Sequence, residues 1–374
     1  MKIRFIIPAI FLVMLVLAPA NSYAFRYRDY EITLKADLTE VYDSNINFEK
    51  ENVTDGFRTD AAISLGLNRS WRRAVLNLNG SVVHGIYNQN RDTTGSEALG
   101  LHFEYQPSAY TSLQLNDSFN HYNQPTNFQQ EFGRITGRFN TYVNNFSLGL
   151  TRGISKDFSA TASYGYTIVR KDEGTDWDTH TANIRLNYNY SVDKIFHFGY
   201  TYAFSNDRAQ DSGTSSHSVF IGAEKYFTQR LTLIGQIALG RNDPDSSDSS
   251  TTSSVTVSLN QELDRLTAAR LLFAMYNSDI TQGDSNSDSW QITGEVRREL
   301  TDKINGFVNV FYGEGTFTDI VGTDKLFGIG SRIDYEVSQR LRANLNYSFS
   351  NLRSTDETRG YNRHQIGLGV SYVY

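Results

Sequence analysis

The sequence contains no cysteine, and its 374 residues include only 5 prolines and 3 methionines. The absence of cysteine excludes a disulfide framework and any metal site with thiolate ligands. Charged residues make up 20% and hydrophobic residues 39%, whereas globular chains average about 25% and about 45–50%. Because the formal net charge is −6 and no basic stripe is present, we expect no nucleic-acid partner. The aromatic content of 13% excludes a disordered chain.

Long apolar runs are also missing, except near the N-terminus. Met1–Arg4 is cationic, and the apolar run Phe5–Ala18 is shorter than the about 20 residues of a spanning helix. Ser22-Tyr23-Ala24 then places small residues at positions −3 and −1 of a cleavage site. The sequence predicts a signal peptide over residues 1–24, with an N-terminal membrane anchor as the alternative. We therefore expect a bacterial exported protein formed by residues 25–374.

The exported part alternates apolar and polar residues almost throughout. Clear examples are Ala182–Tyr190, Phe196–Phe204, Val255–Leu259, Trp290–Val296, Leu341–Phe349 and Ile366–Tyr374. Successive side chains of a strand point to opposite faces, so each segment predicts a strand with one apolar and one polar side. The segment Leu263–Tyr276 comes closest to a helical period, and we predict a strand there too. The mean hydropathy of −0.44 fits strands that need only half of their positions apolar.

Connections between these strands alternate between tight and long. Tight turns are predicted near Asn68–Arg72, Gln106–Tyr110, Thr151–Asp157, Tyr190–Lys194, Tyr226–Arg230, Glu262–Arg265, Glu299–Asp302 and Glu336–Gln339. Longer loops are predicted near Asp43–Gly56, Asn88–Ser96, His121–Gly133, Arg170–Trp177, Asn206–Ser215, Arg241–Thr251, Asn277–Asp288, Gly313–Thr323 and Asn351–Asn362. These seventeen connections predict about 18 strands, an even number as bacterial barrels require. Sixteen strands is the alternative, because Arg134–Phe146 alternates poorly.

The apolar faces could meet another sheet or lipid. Polar faces rich in Asn, Ser, Thr and Gly suit a water-filled lumen. Aromatic residues near strand ends suit interfacial girdles, as at Tyr188, Tyr190, Tyr347, Phe349, Tyr372 and Tyr374. We therefore predict an all-β fold, a transmembrane antiparallel up-and-down β-barrel in the outer membrane of a Gram-negative bacterium. It would have short periplasmic turns and longer extracellular loops, and it would contact lipid and lipopolysaccharide. A soluble all-β secreted protein such as a propeller is the alternative.

The last strand resembles the C-terminal recognition strand of outer-membrane barrels. Its alternating positions are Ile366, Leu368, Val370, Tyr372 and Tyr374. The resemblance implies that these residues are a C-terminal assembly signal for the barrel-assembly machinery. The usual terminal residue of that signal is Phe, so Tyr374 departs from the pattern. An ordinary edge strand is the plainer interpretation.

A second resemblance lies at the exit of the first strand. Glu40-Val41-Tyr42-Asp43-Ser44-Asn45-Ile46-Asn47 is similar to a Tyr-Asp-x-Asn-Ile motif of porin-like outer-membrane barrels associated with exopolysaccharide loci. The resemblance implies the outer-membrane channel of polysaccharide export, working with a periplasmic polysaccharide export protein. A local alternative is that Asp43, Ser44 and Asn45 simply form a turn.

Charged residues on the predicted inner face are candidates for lining the lumen. They are Lys35, Asp37, Arg185, Glu224, Arg270, Glu295, Arg297, Arg332, Asp334 and Arg342. Their mixed signs argue against a strongly ion-selective filter. The solute would be a polysaccharide or a small solute, and solvation of the lumen is the plainer role for each charge.

Signals for catalysis are weak. The 7 histidines show no His-Glu-x-x-His spacing, and no glycine-rich phosphate loop is present. Asp243–Asp248 could bind Ca²⁺, but it lacks the features of an EF-hand loop, and a solvated tip is the simpler interpretation. The loop His121–Gly133 could fold inward as a constriction. We predict a non-enzymatic transport protein without cofactor or metal. Its function would be polysaccharide export, diffusion of general or specific solutes, or a structural or adhesive role with an occluded lumen.

Overall fold

The computed structural model describes residues 25–27, 29–88, 93–123, 140–172, 176–208, 212–245, 248–278, 287–317, 322–356 and 359–374. The predicted signal peptide lies outside these residues. Within them the chain forms nineteen strands. None of the described residues belongs to a helix long and apolar enough to cross a membrane.

The strands follow one another along the chain. They are β1 Phe25–Tyr27, β2 Tyr30–Asp43, β3 Gly56–Ser70, β4 Ala74–Tyr87, β5 Thr93–Ser108, β6 Thr111–Tyr122, β7 Thr141–Gly153, β8 Phe158–Lys171, β9 Trp177–Ser191, β10 Lys194–Asp207, β11 Ser212–Thr228, β12 Leu231–Pro244, β13 Ser250–Glu262, β14 Thr267–Ser278, β15 Ser287–Thr301, β16 Ile304–Phe317, β17 Gly322–Glu336, β18 Leu341–Ser354 and β19 Tyr361–Val373.

Strands β2 to β19 form a closed barrel of eighteen antiparallel strands. Each pairs with the next along the chain, and β19 pairs with β2 from Gln365↔Asp43 to Val373↔Lys35. Closure leaves no exposed edge in the sheet. The short β1 folds back on the start of β2, with Phe25 opposite Ile32. The predicted eighteen-strand barrel is confirmed, and the sixteen-strand alternative is wrong.

The outer wall is apolar because alternate positions point away from the barrel axis. Large apolar side chains stand exposed there, for example Leu65 at 53%, Ile184 at 58% and Leu368 at 63%. The intervening residues carry the polar groups, such as Arg185 beside Ile184. Such a surface is stable in lipid, where strands satisfy their backbone groups within the closed sheet.

The two ends of the barrel differ. Eight connections of two to four residues lie at the end that holds both chain termini, and nine connections of four to eighteen residues lie at the other end. We take that second end as extracellular from the general topology of these barrels. In the turn between β13 and β14, Asp264 accepts a hydrogen bond from the Leu266 amide at 2.7 Å. This bond lowers the pKa of Asp264. The segment predicted as a strand over Leu263–Tyr276 therefore begins with a turn, and β14 starts at Thr267.

Candidate functional site

The first long loop, residues 44–55, folds into the extracellular mouth of the barrel. Ile46 is fully buried and Phe48 is 4% exposed. Phe48 adopts a left-handed backbone with φ of 59°, which is uncommon for a bulky residue and is held by its surroundings. Phe48 belongs to a buried cluster with inward side chains of four strands, Phe311, Leu326, Leu352 and Tyr361, and its ring centre lies 5.4 Å from that of Tyr361. The loop therefore lies against the inner wall instead of extending into solvent.

A buried ion pair lies beneath this loop. Asp43, at the end of β2, is fully buried, and Arg363 on β19 is 4% exposed. The guanidinium donates to both carboxylate oxygens, at 3.1 and 2.8 Å. Further donors to the same carboxylate are Gln365 Nε2 at 3.1 Å, the Tyr87 hydroxyl at 3.2 Å and the Asn45 amide at 3.1 Å. Because its oxygens are so well satisfied, this carboxylate remains stable as an anion out of water.

Asn45 connects the loop to the last strand. Its side-chain amide donates to the carbonyl of Glu49 at 2.7 Å and to the carbonyl of Asn362 at 3.0 Å. Its side-chain oxygen accepts the Glu49 amide at 3.0 Å. The motif around Asp43 is therefore both a turn, as the local interpretation proposes, and a long-range connection across the closing strands.

Two more ion pairs line the same end of the lumen. Arg58 donates to both oxygens of Asp60 at 2.7 and 2.8 Å and to the Tyr87 hydroxyl at 3.2 Å. Arg359 donates to Asp324 at 2.6 Å, and both of these side chains are buried. Charged groups thus hold the mouth together through hydrogen-bonded pairs.

All ten charged residues proposed from the sequence as lumen candidates lie on the inner face of their strands. Their positions alternate with those of exposed apolar side chains on the outer wall, such as Leu34, Ile184 and Ile333. Three pairs form among them, Lys35–Asp37 at 2.7 Å, Arg185–Glu224 at 3.4 Å and Arg332–Asp334 at 2.7 Å. Arg342 sits opposite Ser371.

The other three candidates lie together toward the periplasmic end. Arg270, Glu295 and Arg297 line one depression of about 370 Å³ with Phe307. The Arg297 guanidinium lies 6.0 Å from the Phe307 ring centre. These groups offer hydrogen-bond donors, an acceptor and an apolar ring to a passing solute.

The sequence interpretation missed Arg363, Phe48 and the Arg58–Asp60 pair. Arg363 lies on the same face of its strand as Gln365 and Gly367, at every second position, and the sequence predicts that face to point inward. This alternation could have identified Arg363 as a lumen residue. Phe48 sits in a loop, where no periodicity identifies a buried side chain.

Other sequence candidates are placed as follows. In the predicted C-terminal signal, Ile366, Leu368, Val370 and Tyr372 face outward, and the Tyr374 backbone pairs with Leu34 at 3.2 and 2.8 Å.

In the acidic loop, Asp243 pairs with Arg241 at 2.8 Å, and residues 246–247 lie outside the described part. Residues 124–133, which are most of the predicted constriction loop His121–Gly133, also lie outside it. No grouping of three metal-ligating side chains occurs among the residues that are described.

The fold is similar to that of outer-membrane porins of the Occ/Opd family. Pseudomonas aeruginosa OpdQ is 10% identical, with a TM-score of 0.51 over 93% of this chain and 98% of that chain. Pseudomonas aeruginosa OccK2 (OpdF) is 10% identical, with a TM-score of 0.53 over 92% of this chain and 97% of that chain. At this identity the similarity shows the fold alone.

A comparison with curated proteins finds no significant match. A family model does match, and it covers residues 116–374. The match includes β7 to β19 and most of β6, with the last strand that pairs with β2. The chain therefore belongs to the family described as Putative beta-barrel porin 2, and it is a porin-like β-barrel of the bacterial outer membrane.

Proposed function

We propose that the barrel is a diffusion pore for small hydrophilic solutes. The observation that carries this proposal is a polar inner wall narrowed by the docked first loop. Barrels of about 16–18 strands leave an aqueous channel, and the loop held by Phe48 and the Asp43–Arg363 pair occupies part of its mouth. A narrowed aqueous path suits solutes of limited size.

This arrangement favours diffusion over polysaccharide export. An extended polymer needs a clear path through the mouth, whereas the docked loop is held by a buried ion pair and an apolar cluster. The family model that matches this chain is described as a putative beta-barrel porin, which agrees with the proposal. No observation calls for a periplasmic export partner. Contact with lipopolysaccharide and assembly by the barrel-assembly machinery remain predictions.

The charged residues proposed to line the lumen would give the pore only a weak selectivity for ions of one sign. Arg185, Lys35 and Arg332 each have a carboxylate partner within 4 Å, so much of their field is cancelled. Arg270 and Arg297 form no ion pair within the described part of the chain. We therefore infer a slight preference for anions, far from the selectivity of a ring of one sign.

The test is conductance of the purified protein in planar bilayers together with swelling of liposomes in sugars of increasing size. We expect stepwise conductance and swelling rates that fall as the sugar grows. The outward variant Val296→Ala is the matched control and should leave both unchanged. If neither the native protein nor Phe48→Ala conducts or permits swelling, the diffusion-pore proposal is wrong.

Charge selectivity is tested by the reversal potential in a salt gradient. The double substitution Arg270→Glu and Arg297→Glu should move it toward cation preference. The matched exchange Arg298→Glu, on the outer face beside Arg297, should leave it near the native value. An equal shift in both variants would show that the depression is not on the ion path.

A further inference from the structure

Asp117 is a charged residue in the middle of the outer wall. It is central in β6, and the register places it between Leu101 on β5 and Phe146 on β7. Leu115 and Phe119 flank it on the same face of β6. The surface around this carboxylate is therefore the apolar surface that faces lipid.

A carboxylate at this depth is costly unless something satisfies it. Charged residues on the lipid face of a barrel destabilise it most at the middle of the membrane, and ionisable groups within a membrane indicate a functional site. The side-chain amide of Asn144 on β7 donates to one oxygen of Asp117 at 3.0 Å. Asn144 is itself on the outer face, opposite Phe119.

The pair is only half satisfied within one chain. In the described residues, the second oxygen of Asp117 has no hydrogen-bond partner, and neither does the second N–H of Asn144. The Asp117 carboxylate can accept one more hydrogen bond, and the Asn144 side-chain amide can donate one more. A second copy of the same pair can therefore supply the partner that each group lacks.

An apolar groove adjoins this pair on the same outer wall. It measures about 460 Å³, and its outward lining includes Leu65, Leu67, Leu78, Leu99, Leu101 and Phe119. Gly80, which has no side chain, forms part of its surface. The groove offers close packing beside the polar pair, as small residues and hydrogen-bonding side chains do between transmembrane helices.

We propose that the outer face of β3 to β7, which carries the polar pair and the apolar groove, pairs with the same face of a second copy of this chain. The two copies are related by a two-fold axis along the membrane normal, and Asn144 of each donates its second N–H to Asp117 of the other. A two-fold interface is self-complementary by construction. This interface is independent of which solute passes the lumen.

Site-specific cross-linking tests the pairing, since the chain contains no cysteine. Phe146→Cys introduces a thiol at the register partner of Asp117. Val296→Cys is the matched control on the outer face of β15, nine strands from β6 in either direction around the barrel. On oxidation of isolated outer membranes, we expect a covalent dimer from Phe146→Cys and none from Val296→Cys.

Second substitutions in the Phe146→Cys background separate hydrogen bonding from proximity. Asp117→Leu should reduce the dimer at least tenfold, while Asp117→Asn, which still accepts and donates, should retain it. Heat-modifiable migration of each variant verifies that the barrel has folded. The proposal would be overturned by equal amounts of dimer from both cysteine positions or by no dimer from Phe146→Cys. It would also be overturned by a covalent product with another protein, or by an undiminished amount of dimer when Asp117→Leu is added.

Discussion

Arg363 on the last strand donates two hydrogen bonds to Asp43 at the end of the first barrel strand, at 3.1 and 2.8 Å. The same guanidinium lies 4.1 Å from the centre of the Phe48 ring. The residue that helps to close the barrel therefore also holds the first loop inside the mouth. Arg363 therefore links the strands that close the barrel to the docked loop.

Arg363→Met should be strongly destabilising. Removing one partner of a buried ion pair leaves an uncompensated charge and costs about 3–5 kcal/mol. We expect a lower urea midpoint of unfolding in detergent, and a larger single-channel conductance because the loop is released. The matched control is Lys35→Met, which breaks the more exposed pair with Asp37 and should cost about 0–1 kcal/mol. If the urea midpoint falls by a similar amount in both variants, burial does not make the Asp43–Arg363 pair the more important of the two for stability.

Phe48→Ala should release the loop while both charged residues of the Asp43–Arg363 pair stay in place, although the Arg363 guanidinium loses its contact with the ring. Removal of a buried Phe side chain costs about 3–5 kcal/mol, and here the loss falls on the contact between loop and wall. We expect increased conductance and faster swelling with larger sugars. Val53→Ala, in the same loop but at a side chain that is 50% exposed, is the control. Unchanged conductance in Phe48→Ala would show that the loop does not limit the path.

Gly222→Ala should disturb the inner wall near His197. A Cβ at this position would overlap the imidazole of His197 and lie 2.7 Å from the Gly235 carbonyl oxygen. His197 is only 2% exposed, so it has little room to move, and overpacking costs about 1–3 kcal/mol. Gly235→Ala is the matched control because no atom lies within 4 Å of its added Cβ. Urea unfolding in detergent should separate the two variants, and equal midpoints would refute the steric argument.

Asp193→Asn should reduce stability at neutral pH but not in strong acid. Asp193 lies in the turn between β9 and β10, where the Lys225 ammonium and the Ser191 hydroxyl bind its carboxylate. These interactions lower the pKa of Asp193 from 3.8 to about 2. Since the folded pKa is depressed, the stabilisation is fully present above pH 3.8 and is lost as the pH falls through about 2.

Urea midpoints of the native protein and Asp193→Asn at pH 7 and at pH 2 measure this linkage. The difference should be small, since the turn is exposed to solvent, and it should shrink at the lower pH. Asp302→Asn, in the turn between β15 and β16, removes a carboxylate without an ion pair among the described residues and should show no such trend. If the difference in urea midpoint between the native protein and Asp193→Asn is the same at both pH values, the ionised Asp193 carboxylate is not the source of the stabilisation.

Much of the barrel was predictable because its determinants are local. Strand parity at segments such as Leu341–Phe349 depends on neighbouring residues alone, and turns depend on a few residues such as those around Asp264. Alternating short and long connections then predict the number of strands. The motif at Asp43 and Asn45 could be noticed in the sequence, but a carboxylate at the end of a strand is also an ordinary turn former.

The sequence by itself thus determined the strands, the two faces of the wall and the eighteen-strand count. Only the tertiary structure decided that loop 44–55 docks inward and that Asp117 meets Asn144. The Asp43–Arg363 bond joins residues 320 positions apart, and the Asn144–Asp117 bond joins residues 27 apart. Such contacts depend on the closed register of the whole sheet, and strand periodicity carries no information about which distant side chains that register brings together.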